Sequence, residues 1–167
     1  MPLENVAPGL ASDGYGAVWL VPAIANTTAP TAAELTAGTV KPLTYSLVPD
    51  GFRHETTENV VTSGRYTLKQ ILELPGTVLD TLEVQYVWTG TAADVARLTL
   101  TAGVTGFIVH RLGVANEVAP AATQLVDVIP VRAGLQRKVA PTANTELQRV
   151  QKLFVTGTVQ RDVAVAA

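Results

Sequence analysis

His54, Glu55 and Glu58 stand at nearly the spacing of a zinc-hydrolase helix, with one ligand missing. That chemistry needs a second histidine four residues after the first, so that two ring nitrogens share one helical face. Position 58 is a glutamate, and the flanking residues carry no helical apolar period, so the segment reads as solvated loop. His110, the other histidine, lies beside Arg111 in an apolar stretch and reads as a hydrogen-bonded structural residue. The serines are Ser12, Ser46 and Ser63, and none sits in a Gly-x-Ser-x-Gly elbow. With two histidines and no cysteine, nucleophilic catalysis has few candidates. Gly14-Tyr-Gly16 precedes an apolar strand, whereas a phosphate-binding loop follows one and opens a helix. The expectation is a protein without catalytic residues, bound metal or cofactor. The basic residues concentrate at Arg132, Arg137, Lys138, Arg149 and Lys152. A pairing surface for an acidic segment is the reading favoured over a nucleic-acid patch.

Composition agrees with that direction. The 167 residues suit one domain with a real core. Apolar residues reach 47%, so either the core is unusually rich or apolar surface is covered by other subunits. No apolar run approaches the roughly 18–20 residues of a spanning helix, and the most apolar window, Ala17 to Ala25, is interrupted by Pro22. Aromatics at 5% are too few for the girdles of an outer-membrane barrel, and no membrane partner is expected. A net charge of −2 argues against a protein that grips phosphates.

The elements that would position these residues are mostly strands. Residues 1–15 are punctuated by Pro, Gly and Asp without a period, and read as a flexible arm. Residues 16–167 then form a single domain. Gly16 to Val21 is a short apolar strand ended by Pro22. Thr31 and Glu34 have capping-box spacing, and Gly38 follows where a helical turn would end. Val40 to Val48 reads as a strand held to an edge by Pro42. Pro49-Asp-Gly51 marks a turn, and 50–64 reads as a long polar loop. Arg65 to Leu72 alternates, and Pro75-Gly76 is read as a turn. In Val78 to Trp88, Leu82, Val84, Tyr86 and Trp88 share one face while Thr81, Glu83 and Gln85 share the other. Residues 92–102 read as a helix capped by Thr91, with Val95, Leu98 and Ala102 as its apolar stripe and Gly103 as its end. Thr105 to Leu112, Thr123 to Val131 and Val150 to Val165 complete the strands, the last interrupted at Gly157. Trp19 and Trp88 lie in apolar strands and read as packing residues. The pattern predicts a mainly β protein: an antiparallel β-sandwich or barrel with one flanking α-helix.

The segment Gly16-Ala-Val-Trp-Leu-Val-Pro22, followed by Ala29-Pro-Thr-Ala-Ala-Glu-Leu-Thr-Ala-Gly38, resembles the N-terminal region of tail tube (major tail) proteins of long-tailed, non-contractile bacteriophages. The likeness continues in Leu74-Pro-Gly-Thr77, in Gly103-x-x-Gly-Phe-Ile-Val-x-Arg-x-Gly113 and in Val126-Asp-Val-Ile-Pro-Val131. It ends in Phe154-Val-Thr-Gly-Thr-Val-x-x-Asp-Val-Ala-Val165, so it covers most of the chain in order.

That resemblance implies a structural virion protein, assembled in the host bacterial cytoplasm, whose hexameric rings stack into a hollow tube for DNA passage. Its principal partner is then itself. The family implies tape measure, tail-tip and tail-terminator proteins as further partners, with DNA passing through unbound. On this model 50–64 bridges rings, with Asp50, Arg53, His54, Glu55 and Glu58 meeting Arg137 and Lys138 of a neighbour. Thr81, Glu83 and Gln85 are the candidate channel wall, which must be neutral or acidic to release phosphates. Two alternatives remain at this point. One is another phage structural part, a tail terminator or capsid decoration protein; the other is a small β-barrel that binds an apolar ligand.

Overall fold

A computed structural model describes residues 7–167; residues 1–6 of the expected arm lie outside the described residues. The chain is mainly β. Its strands are β1 (Gly16–Val21), β2 (Lys41–Pro42), β3 (Leu47–Ser63), β4 (Leu72–Val87), β5 (Thr105–Leu112), β6 (Leu125–Lys138), β7 (Gln148–Val155) and β8 (Gln160–Ala164), and its short helices are α1 (Ala32–Thr36) and α2 (Val95–Thr99). The registered strand pairs are antiparallel. Two compact units divide the chain: one gathers the residues up to Tyr45 with Thr105–Pro130 and Thr158–Ala167, the other Ser46–Val104 with Val131–Gly157. Strand β6 contributes its first half to one and its second half to the other.

In the first unit β1 pairs with β5 from Gly16↔Leu112 to Val21↔Phe107, and β2 adds only two residues beyond β1. Pro42 lies in that short edge strand, where its missing N–H costs no ladder bond. The start of β6 pairs with β8. Val21, Ile24, Leu35, Val109, Val126, Val128 and Val165 form the core. Each such side chain contributes about 1.5–3 kcal/mol by leaving water.

The capping box is present as the spacing predicts. Thr31 Oγ1 accepts the Glu34 N–H at 3.2 Å, and Glu34 Oε2 accepts the Thr31 N–H at 2.8 Å. Glu34 Oε1 also accepts the Ala25 N–H at 2.7 Å. These donors, Ala25 first, hold the Glu34 carboxyl below its ordinary range. The helix stops before Gly38, with Ala37 as its C-cap.

Arg111 on β5 is fully buried, and its guanidinium bonds neutral acceptors. It donates to Gln124 Oε1 at 2.8 Å and to the carbonyls of Ala115 and Val118 at 3.1 and 2.8 Å, while its guanidinium lies 5.0 Å from the Trp19 ring. Burial pushes its pKa down; neutral acceptors and the ring face replace its hydration and tie the 113–124 loop to the strand.

In the second unit the order is β3, β4, β7, then the second half of β6. Leu82, Val84, Tyr86 and Leu153 are buried on one face, as the alternation of β4 requires. Helix 92–102 is shorter than the sequence suggests, spanning Val95–Thr99, with Leu98 exposed and Ala96 and Leu100 buried. Its start is held by Asp94, whose carboxylate receives the Thr89 N–H, the Thr89 hydroxyl, the Gly90 N–H and Arg97 Nε within 3.1 Å. Thr91 does not serve as the cap. Beyond the helix, the Arg97 and Leu100 carbonyls accept from Gln136 Nε2 at 2.8 and 3.0 Å, and Leu100 also from Gln151 Nε2 at 2.7 Å. Strand amides thus satisfy carbonyls that a helix end leaves orphaned.

Candidate assembly surface

Four sequence assignments around the largest hairpin need correction. Residues 50–63, read as a loop, are strand: β3 runs unbroken to Ser63 and pairs with β4 as far as Leu72. Arg65 to Leu72, read as alternating, is the turn of that hairpin as far as Ile71, with Thr67 at φ 60°, and Leu72 opens β4. Pro49-Asp50-Gly51 and Pro75-Gly76, read as turns, are irregularities inside strands, where the register shifts between Leu47 and Phe52 and between Glu58 and Val60. Gly51 is required there because a Cβ would meet the Val48 carbonyl at 2.7 Å, and at Gly76 one would meet Asn59 O at 2.5 Å.

The cause lies in what each strand pairs with. β4 bonds β7 only through Leu82–Val87, so from Asp80 outward β3 and β4 have only each other among the registered pairs. A two-stranded ribbon has no buried face, hence no apolar alternation to read. Its side chains are exposed on both faces. Val61, Leu72, Leu74 and Leu79 share one, and the tip adds Tyr66 and Ile71. The other carries Glu58, Val60, Glu73 and Pro75, which line a shallow notch. At the base of the ribbon His54 Nε2 lies 3.1 Å from Asp80 Oδ1, which also accepts from the Thr56 hydroxyl at 2.6 Å.

Thr81, Glu83 and Gln85 are half-buried on the face opposite Leu82, Val84 and Tyr86. The structure brings Arg53 and Arg137 onto that same face. Glu83 accepts from Arg53 Nη1 at 3.2 Å and from Arg137 Nη2 at 3.3 Å, while Arg53 Nη2 reaches Gln85 Oε1 at 3.3 Å. Gln85 Nε2 continues the row to Gln148 at 2.6 Å. Glu55 and Lys152 line the cleft beside Arg53 and Glu83. Lys138 is separated from Arg137: with Arg149 it stands on the Tyr86 side, 5.2 and 4.7 Å from the Trp88 ring. Asp50 sits in the first irregularity of β3 at φ 57°. His110 lies half-buried in β5 opposite Val18, far in sequence from this constellation.

A groove of about 760 Å³ lies over β6 and β7, lined by Ala102, Arg132, Leu135, Arg137, Lys152 and Phe154 among others. It forms where β6 shifts register between Ala133 and Gln136. Gly134 permits the approach, since a Cβ there would meet Lys152 O at 2.7 Å and the Phe154 ring at 3.0 Å. Leu135 and Phe154 are 77% and 51% exposed, an apolar floor beneath three cations. The sequence displayed the cations; Leu135 and Phe154 were hidden because the bulge, not the alternation, turns Leu135 outward. Among the described residues no three of His, Cys, Asp and Glu gather as a metal-ligand group, and no helix is long and apolar enough to cross a membrane.

A mainly antiparallel β fold with an unflanked, apolar-sided hairpin and a cation-rimmed apolar groove belongs to the class of proteins that present sheet surfaces to other chains. The family is then specific: the model of the phage tail tube protein family matches residues 5–167, and the chain belongs to that family. It is a structural tail protein of a phage. Among solved structures it is similar in fold to a chain in a six-fold symmetrised cryo-EM structure of the anti-feeding prophage baseplate, with a TM-score of 0.56 and 12% identity over 93% of this chain and 96% of that one. No curated protein matches the chain.

Proposed function

We propose that the chain is the repeating subunit of a phage tail tube: it closes into six-membered rings that stack into a hollow conduit for DNA. The family match carries the reading, and the exposed apolar sides of the β3–β4 ribbon support it, since a monomer gains nothing from leaving them in water. In this reading residues 16–167 work as one tail tube domain with 1–15 as its arm, and the chain performs no catalysis. It assembles in the host bacterial cytoplasm, in a long-tailed, non-contractile phage. Tape measure, tail-tip and tail-terminator proteins meet the tube at its bore and ends.

The candidate wall residues Thr81, Glu83 and Gln85 would line the bore together with Arg53, because one sheet face holds all four. Glu83 matters most there. It offsets two guanidinium groups that would otherwise retain phosphates. Asp50, His54, Glu55, Glu58 and Arg137 remain proposed contacts between rings, whereas Lys138 stands apart on the Trp88 side.

Negative-stain electron microscopy of the purified chain over a concentration series, beside a sizing column, tests the reading. Hollow tubes or six-fold rings are the expected result. Closed rings or trimers that never elongate would favour a terminator or decoration protein, and a monomer at every concentration would overturn the assembly reading.

A further inference from the structure

On the sheet face opposite Glu83, two cations stand side by side with no anion between them. Lys138 is directly opposite Arg149 across β6 and β7, and Arg149 is directly opposite Tyr86 across β7 and β4. Both reach one indole: Lys138 Nζ lies 5.2 Å and the Arg149 guanidinium 4.7 Å from the centre of the Trp88 ring. Like charges directly opposite each other on neighbouring strands repel, and an aromatic face offsets only part of that repulsion. Among the described residues neither cation has a carboxylate within ion-pair distance. Arg149 donates through Nη1 to a neutral acceptor, Gln136 Oε1, at 2.7 Å, while its Nε is shielded from water and has no acceptor. The cations of the other face are placed differently. Arg53 and Arg137 share Glu83, and Lys152 stands directly opposite it. Lys138 is exposed and Trp88 half-buried, and Leu147, whose carbonyl accepts the Trp88 N–H at 2.8 Å, is 48% exposed at the same end of the sheet.

We propose that Trp88, Lys138 and Arg149 form a docking shelf for an acidic peptide segment of a second protein. Two carboxylates of that segment meet the two cations, and its apolar residues cover Trp88 and Leu147. Charge selects the occupant: a neutral or basic segment leaves the repulsion in place, whereas a carboxylate bonds ammonium and guanidinium together. The spacing fits as well. Lys138 and Arg149 are one strand spacing apart, about 5 Å, and acids at alternate positions of an extended segment are about 7 Å apart. This shelf goes beyond the tube reading, and it leaves the wall of Thr81, Glu83 and Gln85 on the opposite face uncovered.

A short labelled peptide alternating Glu and Val is the probe, with a Gln-for-Glu peptide as its control. Fluorescence anisotropy should show saturable binding of the acidic peptide alone, weakening as salt rises. Trp88 emission should shift on binding, and Trp88→Phe should remove that shift. Lys138→Gln should weaken binding about tenfold, and Lys138→Arg should keep it. Arg132→Gln with Lys152→Gln, at the groove on the other face, should leave it unchanged. Thermal melts of each variant confirm that folding is retained. Equal binding of the two peptides, or no binding of either, would overturn the shelf. So would a loss of binding in the Arg132 and Lys152 variant with none in Lys138→Gln, which would put the segment in the groove. Tube pelleting that collapses in Lys138→Gln would make the shelf a contact between copies and overturn the second-protein occupant. Peptide binding does not require assembly, so its failure leaves the tube reading standing.

Discussion

Arg137 places its guanidinium 3.3 Å from Glu83 Oε2, across three strands of one sheet face. The sequence had put these residues in different roles, Arg137 between rings and Glu83 on a channel wall. On a shared face the two roles adjoin: a ring contact at Arg137 would border a wall lined by Glu83. Charge reversal separates their energetic and assembly roles. Arg137→Glu loses one exposed ion pair and faces Glu83 with a like charge, which costs about 1 kcal/mol of stability, or roughly 2–4 °C in Tm. Tube yield measured by pelleting should fall far more steeply than that small shift. Lys138→Glu, on the Trp88 side, should leave pelleting closer to wild type. Equal losses for both variants would mean that the two faces are not functionally distinct.

Gly76 is the second lever, because it acts on the ribbon without touching charge. A Cβ at this position would come within 2.5 Å of Asn59 O, a backbone atom and not the far end of a flexible side chain. Gly76→Ala should therefore distort the irregularity between Glu58 and Val60 at a cost of about 1–3 kcal/mol. Hydrogen exchange should speed up in amides of 54–63 and 72–81 while those of β5 stay protected. Uniform acceleration across the chain would show that the ribbon is not an independent opening unit.

How much of this was legible follows burial. Strand β5 is read to the residue as Thr105 to Leu112, and the break at Gly157 separates β7 from β8, because both flank buried cores that impose a pattern. The capping box at Thr31 and Glu34 is local chemistry and needs no tertiary partner. The ribbon is the opposite case: a strand solvated on both sides carries Glu, Thr and Asn at will, and its Gly and Pro residues imitate turns. Helix 92–102 was overextended because Val95, Leu98 and Ala102 have helical spacing, whereas the buried partner is Leu100, turned inward once Gln136 and Gln151 take the carbonyls. The groove depended on a bulge at Gly134, which alternation cannot announce.

Asp94 gives a prediction with a definite sign. Burial favours its neutral form, but the Thr89 hydroxyl and N–H, Arg97 and the Gly90 N–H outweigh burial and hold the carboxyl down at about 2. A carboxylate depressed in the folded state contributes stability above its unfolded value near 3.9 and loses it as pH falls toward 2. The thermal midpoint should therefore drop between pH 4 and pH 2, and Asp94→Asn should flatten part of that drop. The Glu34 carboxyl is also held below its ordinary range by the Ala25 and Thr31 donors, so the comparison belongs in a Glu34→Gln background. An unchanged acid limb in Asp94→Asn would remove Asp94 as its source.

Gln151 carries the last test, since three buried polar groups converge on it. Its Nε2 donates to Leu100 O at 2.7 Å and to Gly134 O at 2.8 Å, and its Oε1 accepts the Tyr86 hydroxyl at 3.2 Å. Burial raises the Tyr86 phenol to about 12 against the opposing pull of Arg149 and Arg97, so it remains a donor well into alkali. Gln151→Leu takes this partner from the Tyr86 hydroxyl and the Gly134 carbonyl, while the Leu100 carbonyl keeps Gln136 Nε2, at a cost of about 3 kcal/mol. Adding Tyr86→Phe removes one orphan and should recover part of the loss, so the double variant melts above the sum of the singles. The wild type should also lose stability as pH rises from about 10 to 12, because the unfolded phenol ionises first, and Tyr86→Phe should abolish that slope. Additive melts together with an unaltered alkaline slope would show that Tyr86 and Gln151 are not coupled.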